Sequence, residues 1–249
     1  MVWTDVLKGD SLSWLLESGN PTVRHLAMRD LLDTPRDNAK YLEARRSAHA
    51  VKPIRHILEV MEPEGWWQKP GPGYGPKYRS TVWAVTLLAQ LGAWVAEDTR
   101  IQTACDYLVA NALAEGGQFA YNGAASGTFD CLHGNLTLSL LRMGDQNPRL
   151  NSAVEWAARS VTGEGIAPAT DKKASPRYTA YKCGPNFACG ANNKKSCGWG
   201  AVKVMLGLAE IPPAQRSPMI QRAVEQGTAF LFSVAPASAA YPPAEDPPP

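Results

Sequence analysis

Three of the chain's five cysteines, Cys183, Cys189 and Cys197, fall within fifteen residues of KCGPNFACGANNKKSCGWG, and a fourth, Cys131, opens FDCLHGNLTLSLLRMG. Four thiolates suit a tetrahedral Zn²⁺ site, with Zn–S bonds of about 2.3 Å, provided the fold carries Cys131 to the other three. The spacing is not a repeated C-x-x-C pair. Packing cysteines, a catalytic zinc and redox thiols therefore stand beside a structural zinc as readings of the same residues. Asp130 and His133 flank Cys131 and are candidate catalytic groups or replacement ligands, since a carboxylate and an imidazole each do proton transfer and metal binding. Cys105, inside ACDYL, reads as a core residue.

The elements that must position these residues are helices. Asn20 followed by Pro21 reads as an N-cap with proline at the first helical position, and PTVRHLAMRDLLD places Val23, Leu26, Ala27 and Leu31 on one face. Periodic segments follow at about 38–49, 53–61, 79–91, 98–113, 131–143, 148–161, 198–210 and 217–233. Breaks such as KPGPGYGPK separate them, and no alternating strand pattern is convincing. The helices are of two kinds. One carries a small residue and an aromatic three positions on, as in Ala104/Tyr107, Ala153/Trp156 and Gly227/Phe230; the other ends in a leucine-rich run, as in TVWAVTLLAQLG, HGNLTLSLLRMG and GWGAVKVMLGLAEIP. The second kind is apolar on most sides and is expected to form an inner layer covered by the first. Cys131 and Cys197 occupy the starts of successive inner helices, so they should be neighbours at one rim, with Cys183 and Cys189 in the loop between.

The helical-pair repeat with EGWW and EGGQF punctuation, over roughly residues 55–233, resembles the alpha/alpha toroid superfamily of terpenoid cyclases and protein prenyltransferase beta subunits. An all-α toroid of paired inner and outer helices, incomplete or finished by a partner because only about four pairs are present, is the fold this implies. A HEAT-like solenoid is the runner-up, from NPTVRHLAMRDLL alone. The resemblance further implies a central apolar cavity toward whose rim the inner helices point their N-termini. Prenyltransferases hold zinc at two consecutive inner-helix starts through Asp, Cys and His. Cys131 and Cys197 match those starts, although Asp130 adjoins the cysteine directly and no histidine stands at Cys197. The Asp-x-Asp-Asp acid of protonating cyclases does not occur. Trp66, Trp67, Tyr74, Tyr78, Trp83 and Trp199 would ring the mouth of such a cavity and bind an isoprenoid-like ligand, with Arg79 and Lys77 beside them. The expected function is binding that ligand, with its transformation as a further option. The alternative is a non-catalytic, zinc-stapled scaffold for a protein partner.

Composition sets the remaining bounds. The 25 Lys and Arg against 23 Asp and Glu give no net field to attract nucleic acid. Locally, Lys172, Lys173, Arg177, Lys182, Lys194, Lys195 and Lys203 make a basic stretch free of acids, which either attracts an anion or is simply solvated. No run of eighteen apolar residues and no leader-like N-terminus is present, so the expectation is a cytoplasmic protein without a membrane span. Residues 1–233 read as one domain, and 234–249, with six prolines, as a disordered tail.

Overall fold

The computed structural model describes residues 7–166, 183–235, 237–238 and 241, and these residues are all-α: ten helices and, in place of strands, a few isolated bridges. Short helices α1 (Ser11–Leu15) and α4 (Ile54–Glu59) accompany α2 (Pro21–Asp30), α3 (Ala39–Ala50), α5 (Thr81–Gln90), α6 (Thr99–Ala112), α7 (Asp130–Arg142), α8 (Leu150–Thr162), α9 (Gly198–Ala209) and α10 (Pro218–Leu231). Local chemistry sets the ends. The Asn20 side chain accepts from Val23 N ahead of Pro21, and Ser217 does the same for Ile220 ahead of Pro218. The α8 helix stops at Gly163, whose φ of 77° is left-handed.

Helix α7 is central. It packs against α5 on one side and α9 on the other, while α8 and α10 cover α7 and α9. Val85, Leu88, Leu136, Leu140, Val204 and Leu208 from the three leucine-rich helices are all fully buried. Each such side chain contributes about 1.5–3 kcal/mol by leaving water. The three helices run parallel. Tyr74, just ahead of α5, meets Phe129, just ahead of α7 (ring centroids 5.7 Å), and past their other ends Val95 N donates to Met143 O (3.0 Å).

The α7–α9 contact is the closest in register. Gly200 lies against Asp130, Gly134 against Lys203 and Val204, and Gly207 against Thr137 and Leu138. Residues about 70 apart in sequence therefore face each other along the whole length. A Cβ built on Gly134 would lie 2.4 Å from the Lys203 carbonyl carbon and 2.5 Å from Val204 N, so backbone touches backbone. This contact puts the first turns of the two helices side by side.

Tyr241, which the proline content assigns to the tail, folds back instead. Its hydroxyl donates to Leu231 O, and its ring packs on Phe230 (5.3 Å) and over Gly198. Most of the remaining tail lies outside the described residues. No described helix is long and apolar enough to cross a membrane.

Candidate functional site

Cys131 is the second residue of α7 and Cys197 is the N-cap of α9, its sulfur accepting from Gly200 N (3.5 Å). The loop leading into α9 is pinned by Phe187, buried and stacked on Phe230 (5.2 Å), and by the bond from Cys197 N to Phe187 O (3.0 Å). Within it Cys189 bonds back through Cys189 N to Lys195 O (3.1 Å). The loop thereby lays Cys189 beside the two helix starts, and Cys131, Cys189 and Cys197 line one pocket of about 210 Å³ with Tyr74, Phe129, Asp130, Ala191 and Gly200. The same three cysteines and Ala191 also wall a wider trough of about 760 Å³ that runs past Trp199, Val202 and Tyr241.

Asp130 gives the pocket its polar end. It is 3% exposed, with Gly200 against its Cβ, and neither carboxyl oxygen has a hydrogen-bond partner among the described residues. Ser160 lies close enough to favour the anion slightly, but its hydroxyl donates to Ala157 O (2.8 Å). Burial dominates and pushes the carboxyl up to about 8, so at neutral pH it is largely a protonated acid. Burial likewise raises the Cys131 thiol to about 11, helped by Asp130, Cys189 and Cys197, and raises Cys189. Without a counter-charge this is a pocket of neutral acids.

Cys183 does not line the pocket. It is buried against Trp156 and Ile166, within electrostatic reach of Asp130, Cys189 and Cys131, and burial holds its thiol well above the usual range. Cys105 lies in the core, fully buried. All five cysteines are free thiols. Among the described residues no three His, Cys, Asp or Glu side chains are gathered as a metal ion requires.

His133 is not brought to the pocket either. Phe119 N donates to its Nδ1 (3.1 Å), and its Nε2 lies 2.9 Å from Ala153 O, which fixes the proton on Nε2 and leaves the fully buried ring, edge-on to Trp156, with both nitrogens used. Burial lowers its pKa to about 4. The unfolded chain therefore takes up the proton first, and stability is lost as pH falls from 6.5 toward 4. Urea denaturation at pH 6.5 and 4.5 should show wild type losing about 2 kcal/mol more than His133→Gln. Equal losses would show the ring to be unburied.

Of the aromatic candidates, Tyr74 lines the pocket and Trp199, 69% exposed, the trough. Trp83 stands behind Tyr74, donating from Nε1 to Tyr74 O (2.8 Å), and the exposed Tyr78 packs on Trp83 (4.8 Å). Trp67 is core, with Nε1 bonded to Ile57 O (2.9 Å); Trp66 is half-buried and Arg79 exposed, and neither lines the site. Phe129 and Tyr121, which the sequence reading missed, complete an aromatic wall with Tyr74. Phe129 was findable as the residue preceding Asp130.

Of the basic stretch, Lys172, Lys173, Arg177 and Lys182 lie outside the described residues. Lys203 sits over Trp199 (5.3 Å) and Lys77 over Tyr74 (5.7 Å). Comparison with family models, with curated proteins and with solved structures finds no match to this chain. The site has to be read from its own chemistry.

Proposed function

We propose that the protein binds an apolar, isoprenoid-like ligand at the starts of α7 and α9. One observation carries this reading: an apolar pocket walled by Tyr74 and Phe129 ends on a buried carboxyl, Asp130, whose oxygens have no hydrogen-bond partner among the described residues. Apolar lining with a few convergent polar groups is the common form of a small-molecule site. The neutral acid donates a hydrogen bond to a hydroxyl or carbonyl at the ligand's polar end, and the trough past Trp199 accepts an extended chain. Chemistry on the ligand would begin at this carboxyl, because at about 8 it gives up its proton more readily than Cys131 at about 11. The resemblance to terpenoid cyclases and prenyltransferases, and with it a toroid arrangement of the helices, supports the same ligand class.

Native mass spectrometry and tryptophan fluorescence with farnesol and squalene as probes test the proposal. Saturable binding of either is expected, weakened about tenfold, or ~1.4 kcal/mol, by Phe129→Ala. No saturable binding, or binding indifferent to that change, would refute it.

A second reading retains zinc, because three thiols and an orphaned carboxyl share one pocket and are the donor types that zinc takes. Cys131, Cys189 and Cys197 would hold the ion with Asp130 or Cys183 as the fourth ligand. The donors suit it, but the described side chains would have to draw together first. One zinc per purified chain, lost in Cys131→Ser, would favour this reading. Zinc without ligand binding would instead favour a stapled scaffold for a protein partner.

A further inference from the structure

At the opposite ends of α5, α7 and α9 lies a second site, chemically unlike the first. Helix α7 spans thirteen residues, so it is on the order of 18 Å from Asp130. His25, on α2, is 1% exposed, tilted against Tyr41 (4.9 Å) and pressed so close to Gly92 that a Cβ there would lie 2.5 Å from Nδ1. Neither ring nitrogen has a hydrogen-bond partner among the described residues. An unmet buried donor costs about 1–3 kcal/mol, so a partner is wanted here.

The ring lines a cavity of about 200 Å³ together with four guanidinium groups. Their partners among the described residues do not exhaust them. Arg29 gives Nε and Nη2 to Asp30 (2.7 and 2.9 Å), and Arg45 gives Nε and Nη2 to one oxygen of Glu97 (3.0 and 2.9 Å). Arg142 gives only Nε to Glu210 (2.7 Å), and Arg36 comes no closer to that carboxylate than 3.9 Å. Four cations thus face three carboxylates, and every guanidinium keeps N–H groups unspent. Arg36 and Arg45 also lie over the Trp94 ring at 5.6 and 4.9 Å, which orients their planes. The C-termini of the helices bring fractional negative charge to this end. The surplus at this end is one of N–H donors over acceptors, left by the partly unspent guanidinium groups. Fixed, planar N–H donors in surplus match a tetrahedral oxyanion better than a cation or a neutral ligand.

We propose that this cavity binds a phosphate group, carried by a soluble monoester or a lipid head, through His25 and the unspent N–H groups of Arg36 and Arg142. The proposal is independent of the isoprenoid reading, since it uses the other end of the molecule.

Calorimetric titration of the full chain with inorganic phosphate and with glycerol 3-phosphate, at matched ionic strength against chloride, tests it. One saturable site is expected, weakened at least tenfold by Arg36→Gln and unchanged by Asp130→Asn. Arg36 is exposed and makes no hydrogen bond to a described residue, so its replacement should leave the melting temperature in chloride as it was. Sedimentation with vesicles containing phosphatidic acid separates the sources. Retention that Arg36→Gln abolishes and glycerol 3-phosphate does not compete away assigns a lipid head, and competition assigns a soluble ester. No saturable binding of any of the three probes, or binding that Arg36→Gln leaves intact, overturns the proposal.

Discussion

Gly134→Ala should cost the fold at least 3 kcal/mol, although alanine is the better helix former by about 1 kcal/mol. The new methyl would sit 2.4–2.6 Å from the Lys203 and Val204 backbone, so no side-chain rotation relieves the clash and α7 and α9 must separate. Overpacking of this kind typically costs about 1–3 kcal/mol, and contact with backbone puts it at the upper end or beyond. Gly207→Ala is the internal control. Its Cβ would meet Gly134 O and Leu138 N at 3.6 Å, ordinary contact distance, so it should be neutral or stabilising. Urea denaturation of the two variants beside wild type checks the contrast. Equal effects would mean that the helices are not in the register described.

Asp130→Asn should reverse the usual expectation for losing a carboxylate. The folded-state pKa of about 8 lies above the ordinary 3.8, so the native protein holds a proton that the unfolded chain releases between those values. Stability that Asp130 contributes is complete below pH 3.8 and is lost as pH rises through 8. Asparagine stays neutral throughout. In the presence of a chelator, wild type should therefore lose on the order of 3–4 kcal/mol relative to Asp130→Asn between pH 5 and pH 8. Melts at the two pH values measure it. A bound zinc ion would give the opposite sign, because the ion favours the carboxylate; in metal-replete buffer a less stable Asp130→Asn would then support the zinc reading.

The helices were legible because their signals are local. Asn20–Pro21 and the leucine-rich runs state their own periodicity, and the observed ends lie within three residues of the expected ones. The short α1 escaped because five residues hold no full apolar period. The meeting of the α7 and α9 starts followed from reading both as successive inner helices, and the glycines that allow it, Gly134 and Gly200, carried no signal of their own in the sequence. Burial was the illegible part. His133 and Cys183 look like Asp130 and Cys189 in sequence, yet one ring is spent on Phe119 and Ala153 and one thiol packs under Trp156, because α8 covers that side of α7. The His25 site was missed for the same reason: its arginines come from four separate segments, and only the tertiary fold assembles them.

The central claim is that Cys131, Cys189 and Cys197, drawn from two helix starts and a loop, face one pocket. Dibromobimane, which fluoresces only after bridging two nearby thiols, tests it on the native protein at pH 9. The account predicts bridged peptides that join Cys131 to Cys189 or Cys197, and fluorescence that is lost when two of the three thiols are replaced and that Cys105→Ala leaves unchanged. No bridging by the native protein, or bridged peptides that never include Cys131, would contradict it.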